Sequence, residues 1–227
     1  MLRPLVFEGW SYRSRKKPLT DVAWNAAQTK ELESLRRRFN DGCLLRRASE
    51  HNYGIDCRLD DADPLGRSLM GGMHVHLCLR FADGSVWLAR ILPHNVTSFS
   101  DELSNSTLRS ECATLRWLEM VGVPAPRLHG YGFRNDLRND VGVAYMLIDE
   151  LPGKPLSQLE PCEPQMRTAY AGLASILCTL SEHTFDQIGS LTFAPDGGTQ
   201  IGPITGDRAG TLSQIGPFQE ATQYYIT

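Results

Sequence analysis

The stretch Met73-His-Val-His-Leu-Cys-Leu-Arg-Phe81-Ala-Asp-Gly-Ser85-Val-Trp-Leu-Ala-Arg90-Ile91 decides how this chain is read. Met73, Val75, Leu77, Leu79 and Phe81 alternate with His74, His76, Cys78 and Arg80, which is the period of a half-buried strand. Ala82-Asp83-Gly84-Ser85 is a hairpin turn, since Asp-Gly readily takes the positive backbone angles that a tight turn needs. Residues 86–91 then form the return strand. An antiparallel sheet therefore stands at the centre of the molecule.

Upstream of the hairpin, Thr20 can cap a helix over 20–39. Its apolar positions Val22, Ala26, Leu32, Leu35 and Phe39 approximate one stripe, and Asn40-Asp41-Gly42 ends it. Residues 58–67 are polar, with Pro64 and Gly66, and read as a loop. Downstream, Ser104 to Ser106 offer N-caps for a helix reaching about residue 121, with Leu108, Cys112, Leu115 and Leu118 as its stripe. Gly122 caps its end, and Pro124 and Pro126 keep it from resuming. Two further strands are predicted over 127–132 and 142–149, then a long helix over 164–180 carrying Met166, Tyr170, Leu173 and Leu177 on one side. Residues 181–215 are rich in Gly, Pro, Thr and Asp and read as mostly irregular.

Composition narrows the class. The 227 residues suit one domain, or one and a half, rather than two. With 23 Lys and Arg against 26 Asp and Glu, the formal net charge of −3 is too balanced for a dedicated nucleic-acid binder. No run of about 18 apolar residues exists, so no membrane span is expected, and Met1-Leu2-Arg3-Pro4 opens no signal-peptide core. Cys43, Cys57, Cys78, Cys112, Cys162 and Cys178 form no C-x-x-C pair or zinc pattern. They read as reduced thiols of a cytoplasmic protein, with Cys78, Cys112 and Cys178 as small buried hydrophobes. Residues 1–50 hold 11 Lys and Arg against 6 Asp and Glu, including Arg13 to Lys17, Arg36 to Arg38 and Arg46-Arg47. Sparse aromatics and a single helical cluster favour a solvated face over a nucleic-acid patch.

Two charges stand where apolar residues would be expected. On the return strand Val86, Leu88 and Arg90 share a face, and a guanidinium continuing a buried-looking face needs a partner. Glu111 borders the helix stripe, three residues after Leu108 and four before Leu115. Kinase lobes use such a strand cation to hold nucleotide phosphates and a helix carboxylate to orient it. Spacing alone favours a structural ion pair joining helix to sheet. His74 and His76 share a strand face and could ligate a metal, but without a third ligand they read as two surface-facing histidines.

The run Gly71-Gly72-Met73-His-Val-His-Leu77, with Phe81-Ala-Asp-Gly-Ser-Val-Trp-Leu-Ala-Arg90-Ile91, resembles the aminoglycoside phosphotransferase family of kinase-like proteins. Ser110-Glu111-Cys-Ala-Thr-Leu-Arg-Trp-Leu118, Val123-Pro-Ala-Pro-Arg-Leu-His-Gly130-Tyr131 and Gly142-Val-Ala-Tyr-Met-Leu-Ile-Asp-Glu-Leu-Pro-Gly153 continue the likeness in order. So do Phe185-Asp-Gln-Ile-Gly-Ser-Leu191 and Ile215-Gly-Pro-Phe218. The resemblance implies an α+β, protein-kinase-like fold: an antiparallel N-lobe sheet with an αC-type helix, then an incomplete, mainly helical C-lobe. It divides the chain into a basic helical extension (1–56), an N-lobe (57–151) and the start of a C-lobe (152–227).

The same resemblance implies an ATP site. Arg90 takes the third-strand place where most kinases have Lys, a change from a point charge to a planar fork. Glu111 matches its helix partner, and Ile148 the back of the adenine pocket. Asp149 and Leu151 match the hinge positions whose backbone C=O and N–H would bind the adenine edge, and Gly71 and Gly72 the phosphate-covering turn. Kinase-type transfer also needs an H-x-D-x-x-x-x-N segment and a further Asp for Mg²⁺. His129-Gly-Tyr131 and His183-Thr-Phe-Asp186 do not supply it. The expectation is a truncated, inactive relative of an ATP-dependent small-molecule phosphotransferase, its acceptor unknown and its Mg²⁺ dependent on a C-lobe beyond Thr227. A nucleotide-binding pseudokinase or scaffolding module, and a piece with no function of its own, are the alternatives.

Overall fold

A computed structural model describes residues 18–60, 74–92, 100–154, 156–205 and 214–226. It is an α+β structure built on a five-stranded antiparallel sheet: β1 (Cys57–Leu59), β2 (Val75–Phe81), β3 (Val86–Ile91), β4 (Leu128–Gly132) and β5 (Tyr145–Asp149), in the order β1-β2-β3-β5-β4. The hairpin β2–β3 is as the alternation dictates, with Val75 opposite Ile91, His76 opposite Arg90 and Arg80 opposite Val86. Gly84 takes φ +87° in its turn.

Two helices precede the sheet instead of one. α1 (Pro18–Arg38) ends as expected, but Asn40 does not close the helical region. It caps α2 (Asp41–His51), its side-chain oxygen accepting from Cys43 N–H at 3.0 Å. Asn is equally suited to both tasks, and the capping bond decides which one it performs. α2 thus carries Arg46 and Arg47, which had been placed off any helix. Arg46 pairs with Asp140 and, at 3.0 Å, with Glu50; Arg47 meets Asp140 at 3.1 Å. Both side chains are paired within the protein; Arg13 to Lys17 lie outside the described residues.

Further along the chain, Arg58 and Leu59, expected in a loop, belong to a short edge strand in which 57–59 pair with 79–81; 61–67 lie outside the described residues. Helix α3 (Asp101–Met120) is capped by Ser100, which accepts from Leu103 N–H at 3.2 Å, so Ser104 to Ser106 lie within its first turns instead. The chain leaves it through Gly122 at φ +75°. α4 (Glu163–Ser181) falls where the stripe predicted. The region read as irregular contains the hairpin β6 (Ser190–Phe193) and β7 (Thr199–Gly202), which packs on α3, and a short helix α5 (Ala221–Ile226) follows.

Both faces of the sheet are covered. On the outer face, Leu32 and Leu35 of α1 and Leu44 and Ala48 of α2 meet Val75, Leu77, Leu79, Phe81, Trp87, Ala89 and Ile91 in one cluster. The described part of the basic segment, 18–56, therefore shares its core with the strands that follow. On the inner face, Leu108 and Cys112 of α3 pack on Leu128, Met146 and Ile148. Cys112 is buried as expected, and burial pushes its thiol up to about 12, so it stays a protonated apolar filler. Cys78 is half-buried, and Cys178 is exposed because α4 buries none of its residues. Among the described residues, no helix is long and apolar enough to cross a membrane.

Candidate functional site

Arg90 does not lie on the more buried face of its strand. Trp87, Ala89 and Ile91 form that face beneath α1 and α2, whereas Val86, Leu88 and Arg90 point to the half-buried inner side toward α3. Both faces of β3 are apolar enough in sequence to be taken for the core, and the helix pair on the outer side settles the choice. Register then assembles two rows on the inner face. His76, Arg90 and Met146 stand side by side, and Cys78, Leu88 and Ile148 form the next row.

The two charges singled out from sequence meet here. Arg90 Nη1 donates to Glu111 Oε2 at 3.1 Å, with the two side chains 28% and 32% exposed. The pair is partly dehydrated yet open on one side, as a cation must be if it is to receive a ligand. Glu111 reaches Arg90 because the Leu108–Cys112 stripe seats α3 on β5 and turns the adjoining helix face to β3. Ile148, 8% exposed, lies directly across from Leu88 and gives the face an apolar floor beside the cation. Leu151 is 61% exposed, and its backbone N–H and C=O have no partner among the described residues. Asp149 is more tightly held: its N–H donates to Arg127 C=O at 3.2 Å, and its carboxylate accepts from Arg127 N–H at 3.0 Å. Gly71 and Gly72 lie outside the described residues.

Sequence reasoning missed one participant, His74, and a ring pair on the opposite face, His129 on Trp87. His74 is half-buried rather than surface-facing, and its Nδ1 lies 3.0 Å from Arg90 Nη2. Burial, reinforced by the charges of Arg90 and His76, lowers its pKa to about 4. His129 stacks on Trp87 with ring centroids 3.7 Å apart and planes at 7°, while its Nε2 lies 2.6 Å from Asp149 Oδ1. A bulge between Leu128 and Gly130 accompanies this placement, and no residue spacing announces a bulge. His74 did carry a signal, since alternation put it on the same face as Arg90.

Burial also lowers the pKa values of His76 and His51. The folded state thus resists protonation at three histidines that the unfolded chain protonates readily, so the unfolded state binds more protons below pH 6.5. Stability is full above that value and falls as pH drops toward 4. His74 alone is expected to contribute of order 1–2 kcal/mol after allowance for its partial exposure. Urea unfolding at pH 7.5 and 5.0 checks this, with a shallower pH slope expected in His74→Gln.

A cavity of about 450 Å³ lies at the turn end of the β2–β3 hairpin, lined by Asp56, Cys57, Arg58, Arg80 and Val86 among others. Neither Arg90 nor Glu111 borders it, so this hollow and the charged pair are separate features of the sheet. No family model and no curated protein matches the sequence.

Proposed function

We propose that the inner face of the sheet, with α3, is the ATP-binding half of a small-molecule phosphotransferase of the aminoglycoside phosphotransferase, kinase-like type. The observation that carries this reading is the 3.1 Å Arg90–Glu111 pair, joining the third strand of the sheet to the helix that follows it. In that role Glu111 fixes the guanidinium, and Arg90 holds the nucleotide phosphates electrostatically. Leu88 and Ile148 offer the adenine an apolar wall, and Leu151 has backbone groups left to meet its edge. ATP, when bound, would supply the phosphoryl group.

Binding is what these residues are equipped for. The 227 residues contain no H-x-D-x-x-x-x-N segment to position an acceptor hydroxyl. Among the described residues, no group of three His, Cys, Asp or Glu side chains is placed to hold a metal ion. A nucleotide-binding scaffold that performs no transfer is the second reading, and an assay for ATP turnover separates it from the first. Titration with ATP tests both. Arg90→Ala is expected to weaken ATP binding by about tenfold to a hundredfold, the worth of one charge-assisted contact. Absence of ATP binding to the unaltered protein overturns the site.

A further inference from the structure

Arg90 spends its fork on two partners. Nη1 goes to Glu111 Oε2, and Nη2 approaches His74 Nδ1 at 3.0 Å. A guanidinium has donors only, so the nitrogen it meets has to be the bare, accepting one. The ring's proton must then sit on Nε2. Charge enforces the same state, because an imidazolium beside Arg90 and below His76 would place a second cation in a half-buried row. His74 is thus a neutral histidine in a fixed tautomer, with its single N–H on the far side of the ring from Arg90. Among the described residues, no acceptor meets that N–H.

A solvent-accessible donor with no acceptor among the described residues, beside a half-buried cation, can serve an anion that meets both. The separation matters. One phosphate held by Arg90 does not need to reach across the imidazole, whereas two linked phosphates can touch the guanidinium with one group and the Nε2–H with the other. We propose that His74 is a second phosphate-binding residue of this site, held in its Nε2–H tautomer by Arg90 and donating to the diphosphate portion of a bound nucleotide. This rests on the ATP-site reading above. His74 immediately precedes β2, at the end of that strand where Arg90 also lies, so the donor is carried by the sheet itself.

The experiment compares ADP, AMP and adenosine binding to the full 227-residue chain, and to its His74→Phe and His74→Gln variants, with ¹⁵N shifts of the His74 ring read in parallel. The amide of Gln can accept from Arg90 through its oxygen and donate through its nitrogen, so His74→Gln should stay within about threefold of the native ADP affinity. His74→Phe removes acceptor and donor together and should lose about tenfold for ADP, with adenosine changed less than twofold. The ring shifts should show a bare Nδ1 and a protonated Nε2. Undiminished ADP affinity in His74→Phe, or a proton on Nδ1, overturns the role of His74 while leaving the Arg90 site standing. Failure of the native chain to bind ADP overturns both. Equal losses for ADP and adenosine overturn the phosphate role, whether or not the variant's thermal transition matches that of the native protein.

Discussion

Gly142→Ala is expected to destabilise the protein by about 3–5 kcal/mol, a large part of the 5–15 kcal/mol that holds a typical domain together. Gly142 sits at φ +80°, where any L side chain is strained by about 1–2 kcal/mol. The larger share comes from crowding. A β-carbon added there would fall well inside contact distance of the Arg38 carbonyl oxygen. That oxygen belongs to the last turn of α1, and Asn40 N–H ties the next residues to Val141 C=O at 3.0 Å. Both sides of the contact are backbone, so no flexible side chain can move away. Gly84→Ala is the control, since its φ of +87° carries the same strain but nothing lies within 4 Å of the added carbon. It should cost only about 1–2 kcal/mol. Denaturant midpoints for the two variants check the comparison; equal shifts would mean that the packing of α1 against Gly142 is not as described.

Leu35→Ala should cost about 2–5 kcal/mol, the usual range for emptying a leucine site in a closed core. Leu35 is fully buried in the cluster that α1 and α2 share with the outer face of the sheet. Leu177→Ala is the matching control on α4, where the side chain is 57% exposed, and its effect should stay within about 0.5 kcal/mol. The resemblance sets 1–56 apart as an extension, and a large loss in Leu35→Ala would show by energy that α1 is part of the sheet's core.

The central hairpin could be read from sequence because strict alternation and an Asp-Gly turn are local signals that need no partner. Helix α3 was legible for the same reason, through its apolar stripe and Gly122. What escaped depended on distant contacts. Asn40-Asp41-Gly42 suits a helix stop as well as a helix start, and only the bond to Cys43 distinguishes them. β1 is three residues long and exists by pairing with β2. The β6–β7 hairpin did announce itself, through Pro195-Asp196-Gly197 between two β-prone runs, but the surrounding Gly and Pro obscured it. At the site, the meeting of Arg90 with Glu111 followed from strand and helix periodicity. The orientation of β3 did not, since its two faces are similarly apolar. Nor did the bond from Arg90 to His74, because spacing does not say where a guanidinium's second arm will go.

The strand order has a consequence for how the site moves. β2, β3 and β5 lie inside the sheet, but β1 covers only residues 79–81 of β2, whereas β3 and β5 are each flanked along most of their length by a strand on both sides; β1 and β4 form the margins. Amide exchange should therefore be slowest along 86–91 and 145–149 and fastest, among the strands, at 57–59. Arg90, Leu88 and Ile148 all hang from those inner strands, so they belong to the last unit of the sheet to open. A ligand arriving there meets side chains whose backbone is already ordered, and little conformational entropy remains to be lost on binding.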